Sequence, residues 1–401
     1  MAIEPYRRLL TLPGVRTLML VGLLARIPST ATGITLTLHI RSLGLSWLAA
    51  GAVGTATTVG MAVGSPLAGR FVDRHGLRPV LLVTGVAQLA FWSSAWALPY
   101  PVLLVAAVVA GLLALPVFSV IRQCLAALVP VEQRRIGFSL DSIMVELSYM
   151  AGPALGVLGS TMLGSTWTMC VVAAGLTCSG VALILLNPPT RSAEELEAPA
   201  EKVLRRQWLT PGLLTLLGTA AAATFVLTAT ELALVAVMDH SGETEWTGLA
   251  IGLWCVCSLV GGFVYGGLSK GFSPLVLIGG MGLLTIPVGL VGGDWRWVIV
   301  ALVPSGVLCA PGLSSTVEAL SRWVPAGARG EAMGLHGTAL LIGGAVSSPV
   351  AGAVIDGAGP GWAFAVAGLV SVTMVLIALP FWRRIPSPME QPMEQPMAAA
   401  A

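Results

Sequence analysis

Among the ionisable side chains inside the long apolar runs of this 401-residue chain are Arg26, Arg122, Asp141, Glu146 and Glu231. A charge in such surroundings is costly unless it is paired, neutralised by a proton or used to bind something. Arg26 and Glu146 each fall near the middle of their run, and their simplest relation is a mutual ion pair or a hydrogen-bonded network facing the cavity. Burial favours the neutral acid and a neighbouring guanidinium the carboxylate. A Glu beside Arg26 is therefore able to take up and release a proton as its surroundings change. Glu146 is the first candidate for that chemistry and Glu231 the second, with Arg26 and Arg122 as further cavity charges. A purely structural ion pair is the competing reading. Asp141 and Glu318 each lie near a basic residue at the end of a run and read as structural.

A second charged group is local. Residues Gly69 to Val80 read G-R-F-V-D-R-H-G-L-R-P-V, with Arg70, Asp73, Arg74, His75 and Arg78 between two apolar runs. Gly69 and Gly76 permit close packing and a tight reversal. Such a segment must sit in water between two membrane spans. Other chemistry finds little support. The six Cys and four His lack metal-ligand spacing, and Cys255-Val-Cys257 places its sulfurs on different helix faces. No phosphate-cradling loop, nucleophile elbow or cofactor fingerprint is present. The expectation is no enzyme, no metal, no cofactor and no nucleic-acid partner.

The elements that position these residues follow from composition. Hydrophobic residues make up 56% of the chain and charged residues 10%, far below the quarter or so of a soluble domain. Mean hydropathy is +0.87. Apolar runs of about 20 residues suit helices crossing a bilayer, whereas barrel strands would alternate over about ten. Twelve spans are predicted, near 14–40, 47–69, 79–99, 102–127, 136–163, 167–187, 211–238, 246–268, 273–293, 297–320, 330–355 and 361–382. With the amino terminus inside, 17 of the 21 Lys and Arg fall on the cytoplasmic side and only Arg41 and Arg296 outside. That bias predicts a multi-pass protein of the cell membrane with both termini cytoplasmic.

An internal repeat predicts the architecture. At an offset of 195 residues, Gly76, Pro79, Gly85, Gly111, Pro116, Ser119, Val129, Pro130 and Arg134 fall on Gly271, Pro274, Gly280, Gly306, Pro311, Ser314, Val324, Pro325 and Arg329. The matches gather in glycine and proline, which shape helix packing and bends. The charges Arg26, Arg122, Glu146 and Glu231 break the symmetry, which favours function for them. The reading is all-α: residues 1–187 a six-helix bundle, 188–209 a cytoplasmic linker with a surface helix around 193–206, 210–384 a second six-helix bundle, and 385–401 a disordered cytoplasmic tail.

The loop resembles the signature between helices 2 and 3 of the major facilitator superfamily: Gly, three residues, Asp-Arg, any residue, Gly and two basic residues. Gly69, Asp73, Arg74, Gly76 and Arg78 match it, and Leu77 departs from it. Gly152-Pro153-Ala154-Leu155-Gly156 in span 5 resembles the Gly-Pro element of the superfamily's proton-coupled drug exporters, with Val157 in place of a second closing glycine. The resemblance implies the major facilitator fold, twelve helices in two pseudo-symmetric bundles rocking about a midplane site. It also implies that the motif loop is a conformational switch, Asp73 bonding the start of span 11 near Gly330 to Gly334. The alternative is that Asp73 pairs with Arg74 or Arg78 at the surface, which is worth little.

The function expected is proton-coupled efflux of a small amphipathic organic compound, by a monomer in the lipid bilayer. Its cavity charges are few and mixed, fitting neither a strongly anionic nor a polycationic cargo. The alternative is proton-coupled uptake of a sugar or small metabolite. The cavity-forming spans offer Thr32, Thr35, Thr37, Thr224, Thr228 and Thr230 but hardly any Asn or Gln, which counts against a sugar site.

Overall fold

The structure, a computed structural model, describes residues 3–197, 204–243, 246–268, 270–291 and 295–382. Twelve helical segments run up and down in sequence. The first six are α1 (Val15–Ser42), α2 (Trp47–His75), α3 (Leu77–Ala97), α4 (Tyr100–Leu128), α5 (Arg134–Met162) and α6 (Ser165–Leu186). The second six are α7 (Pro211–His240), α8 (Thr247–Gly267), α9 (Pro274–Leu290), α10 (Trp295–Trp323), α11 (Arg329–Ala358) and α12 (Pro360–Trp382). By length and apolar composition, ten qualify on their own as membrane spans. The 29-residue, glycine-rich α2 and the shorter α9 complete the twelve. In hydrocarbon a backbone must satisfy its own hydrogen bonds, which is why these apolar runs are helices.

The repeat is visible in the backbone. α4 breaks at Leu113–Pro116 and α10 at Leu308, and 113 plus 195 is 308. Pro116 and Pro311 cause the breaks, since each ring would collide with the carbonyl four residues back. Gln88 Nε2 of α3 donates to the carbonyls of Ala110 (2.8 Å) and Leu113 (3.1 Å) near the α4 break. Gly164 and Gly359, also 195 apart, open α6 and α12 with φ of +84° and +94°. The result is two six-helix bundles. α6 ends at Asn187, and of the polar stretch that follows, Ala193–Glu197 and Arg205–Trp208 are short helices. The predicted surface helix is thus seen only at its two ends, since residues 198–203 lie outside the described residues. So does the tail, 385–401.

The bundles meet closely at the end carrying the Asp73 loop, here called the basic face. There α2 crosses α11 with no room for side chains: a Cβ at Gly69 would collide with the Gly330 carbonyl, and one at Gly334 with Ser65 and Pro66. Thr338 Oγ1 donates to the Ala62 carbonyl (2.7 Å) at the last turn of this contact. On the same side of α11, Ile342, Ala345 and Pro349 follow, and all three are exposed. The helices have parted. α5 and α8 make the pseudo-equivalent crossing, where a Cβ at Gly266 would strike Ser139 and the Tyr6 hydroxyl. Tyr6, from the helix Ile3–Thr11, stacks on Phe263 at 4.8 Å and donates to its carbonyl at 2.7 Å. The molecule is closed at the basic face and splayed at the other.

These crossings separate two kinds of glycine. Gly64 lies against Leu112 within one bundle, and Gly69 against Gly330 between bundles. Gly64→Val is expected to cost about 1–3 kcal/mol by overpacking and to lower the unfolding temperature. Gly69→Val should instead speed alkylation of a cysteine placed at Met333, now 2% exposed, with a smaller effect on melting. Equal melting losses with unchanged alkylation would contradict this division.

Candidate functional site

Two polar sites lie where the bundles meet. The first is the closure at the basic face. Asp73, on the last turn of α2, accepts from the backbone N–H of Gly330 (Oδ1, 2.9 Å) and of Glu331 (Oδ2, 2.9 Å), the free donors at the start of α11. A carboxylate there also meets the positive end of the helix dipole. Gln123 Nε2 of α4 donates to the same Oδ1 at 2.8 Å. Gly69 makes this possible, since only a residue without a Cβ lets α11 come so near. Gly76, at φ +82°, ends α2 and turns the chain into α3. Arg74 is exposed and makes no hydrogen bond or ion pair among the described residues, while Arg78 donates to the Ile184 carbonyl at 3.3 Å. Asp73 thus bonds α11, and neither Arg74 nor Arg78.

The segment after α6 adds an outer layer. Arg191 donates to the Asp73 carbonyl (3.1 Å), and Glu195 receives Arg329 at 2.8 Å. Glu331 pairs with Arg205 and lies 3.9 Å from Arg70. Ser192 and Glu195 form a capping box, each side chain bonding the other's backbone N–H. Partial burial opposes ionisation of Glu195, but the bonds from Arg329 and Ser192 outweigh it, and its carboxyl is held below the ordinary glutamate value.

The second site is interior. The sequence suggested that Arg26 pairs with Glu146, and the structure corrects this. Arg26 Nη2 donates to Asp141 Oδ1 at 2.6 Å, and Arg122 Nε donates to Asp141 Oδ2 at 3.1 Å. Asp141, read from sequence as a boundary residue, is 1% exposed and holds both cations of α1 and α4. Arg122 Nη1 faces His336 Nδ1 of α11 at 3.5 Å, and His336 Nε2 meets Thr316 Oγ1 of α10 at 2.8 Å. The cluster therefore joins the two bundles. The Gly-Pro element sets the α1–α5 packing behind it: a Cβ at Gly152 would strike Thr30, one at Gly156 would lie 2.7 Å from Ile34, and Pro153 lies within α5.

Glu146 belongs to neither group. It is half-buried, and Ser258 Oγ of α8 donates to its Oε2 at 2.9 Å. The same Oγ accepts from the N–H of Ala310 (3.2 Å), just beyond the break in α10. Glu146 has no ion-pair partner among the described residues. Glu231 of α7 is exposed, with no hydrogen bond or ion pair among them either. Sequence reasoning missed Asp141 as the shared acid, along with Ser258, Gln123, Glu195, Glu331 and the role of His336. Asp141 alone had a usable signal, an acid within reach of two unmatched arginines.

Two six-helix bundles with a midplane polar site and a closed end define a polytopic transporter fold. The sequence matches the Major Facilitator Superfamily over residues 18–274 and again over 232–399, and the chain belongs to that family. Its fold is similar to that of the human organic anion transporter MFSD10 (TM-score 0.71, 18% identity, covering 91% of this chain and 100% of that one). It is also similar to a bacterial homologue of the iron transporter ferroportin in its outward-facing state (0.70, 18%, 92% and 98%). The E. coli fucose:proton symporter is a third (0.69, 16%, 91% and 97%). No curated relative matches the sequence. At these identities the solved structures speak for the fold.

Asp73→Asn keeps one acceptor oxygen and loses the charge. At about 2 kcal/mol for a charge-assisted bond, the population closed at the basic face should fall about thirtyfold relative to the open one. Spin-label distances across that face in nanodiscs measure this, and an unchanged distribution would contradict the closure. The depressed Glu195 carboxyl makes a pH prediction. Its contribution to docking is full above the ordinary glutamate value, about 4, and is lost as pH falls through its lower folded value. Hydrogen-exchange protection over residues 191–197, corrected for the intrinsic pH dependence of exchange, should hold constant at neutral pH and fall only in acid below about 4.

Proposed function

We propose that this chain is a proton-coupled exporter of small amphipathic organic compounds, working as a monomer by alternating access. On this reading the basic face is cytoplasmic, as the Lys and Arg distribution indicates. Both termini are then inside the cell membrane, and the observed state opens outward. Residues 1–187 and 210–384 are the moving halves, tied by the segment 188–209 and locked by the Asp73 loop.

The observation that carries the proposal is the Glu146–Ser258 bond. It joins α5 of one bundle to α8 of the other near the level where the crossing helices separate, as Thr338 and Ala62 do on the pseudo-equivalent side. On one side of this level the bundles are packed; on the other they open. A carboxyl at this apex meets outer water now and inner water once the basic face opens. Between the two states both ends close around it, and a lone carboxylate without a cation would be costly there. The inward stroke therefore proceeds with Glu146 protonated, the proton leaves when inner water arrives, and the outward stroke proceeds with the substrate bound in its place. Ser258 Oγ accepts from the Ala310 N–H and donates to the carboxylate, a bond that favours the charged form before the proton binds. Glu231, exposed and unpaired among the described residues, is the second proton site.

Support for export comes from the Gly-Pro element packed against α1 and from the scarcity of side-chain amides along the cavity-forming helices. In proteoliposomes with an internal pH dye, lipophilic compounds should trigger proton movement and sugars should not. Glu146→Gln should reduce that flux to background while leaving protein level and substrate counterflow intact. Undiminished flux would sink the assignment of Glu146. Flux triggered by sugars alone would replace export with symport.

A further inference from the structure

The interior cluster has one positive charge too many. Two guanidinium groups, Arg26 and Arg122, share the single carboxylate of Asp141. His336 adds no negative charge, and its bonds indicate that it is neutral. Thr316 Oγ1 already donates to the Leu313 carbonyl (2.7 Å), so it accepts from His336 Nε2–H. That leaves Nδ1 as the lone pair facing Arg122. Asp141 is the one carboxylate paired with either guanidinium among the described residues. An uncompensated cation buried in a membrane protein is costly.

The excess is located on Arg26. The residue is 0% exposed, and among the described residues its Nε and Nη1 have no hydrogen-bond partner. Nη2 is spent on Asp141, while the Nε–H and Nη1–H donors on either side of it remain available to the oxygens of an anion. Aromatic rings flank it. The Arg26 guanidinium lies 5.3 Å from the centre of the Phe118 ring, and Phe118 lies 6.0 Å from Tyr149. Tyr149 is 57% exposed and within electrostatic range of both arginines. It is the exposed end of the aromatic row that starts over the Arg26 guanidinium.

We propose that Arg26, with Arg122 behind it, seats the anionic head group of the substrate, making the cargo an amphipathic organic monoanion whose apolar body packs on Phe118 and Tyr149. This rests on the transport reading above and narrows its substrate class. A single unmatched cation accommodates one negative charge, which remains consistent with excluding strongly anionic cargo. Asp141 is then the internal competitor, holding both guanidinium groups until the substrate displaces it from Arg26.

Calorimetric binding to the purified full chain in nanodiscs tests this with three probes sharing one body: naphthoate, naphthamide and naphthylmethylamine. Naphthoate should bind the wild-type protein about tenfold or more tighter than the other two, the gain of one charge-assisted bond. Arg26→Gln should erase the preference and Arg26→Lys retain part of it. Asp141→Asn should tighten naphthoate, a gain that loss of a structural ion pair would not give. Equal affinities in the wild-type protein, which needs no variant to fold, would overturn the inference. A preference surviving in folded Arg26→Gln, or displacement of naphthoate by chloride alone at comparable concentration, would overturn it as well. Naphthoate binding without proton-linked flux of any amphiphile would instead overturn the transport reading alone. Flux of neutral or cationic amphiphiles without naphthoate preference would overturn only the monoanion.

Discussion

The near contact of two backbones, α2 at Gly69 and α11 at Gly330, is the constraint on which the rest depends. A Cβ at either residue would collide with the other helix. Without side chains between them, the first N–H groups of α11 come within reach of the Asp73 carboxylate. This joins a packing device to an electrostatic one. Small residues alone give van der Waals contact that is much the same in any state. A carboxylate on free helix N–H groups adds an energy specific to the closed geometry.

Closure at one end dictates the rest of the shape. Rigid helices that cross at one end diverge beyond it, and the side of α11 that runs from Gly334 and Thr338 to the exposed Ile342, Ala345 and Pro349 records the divergence. Glu146 and Ser258 occupy the turning point on the opposite seam. The polar network near this level is asymmetric. The glycine and proline framework repeats in both halves, whereas Arg26, Arg122, Asp141 and Glu146 all come from the first. The second half contributes neutral partners: Ser258, Thr316 and His336. One bundle carries the charge and the other supplies the surfaces that it bonds.

The segment between the bundles is more than a tether. Arg191 reaches the Asp73 carbonyl, and Glu195 neutralises Arg329, which is 4% exposed at the start of α11. Arg329 is the repeat counterpart of Arg134, which bonds the carbonyl of Ala126 in α4 and that of Ser321 in α10. Each arginine follows its own half's broken helix, but the connecting segment covers only one of them. The basic face is thereby asymmetric too, with two layers over the Asp73 side and the amino-terminal helix over the other.

The sequence by itself determined the helices, their number and their pairing into halves, because each depends on one-dimensional quantities. Apolar length decides a span and a fixed offset decides a repeat, so Leu113 and Leu308 broke together and Gly164 and Gly359 turned alike. Depth along a span was legible only in part: Arg26 and Glu146 were placed near the middle, while Asp141, placed at a boundary, shares the buried cluster with Arg26 and Arg122. Direction around the helix axis was not legible. Asp141 and Glu146 are five residues apart, about 140° around a helix that turns 100° per residue. Only the packing of α1, α4 and α8 around α5 decided that Asp141 faces the arginines and Glu146 faces Ser258. An ion pair is chosen by which faces meet, and that is a property of the tertiary structure.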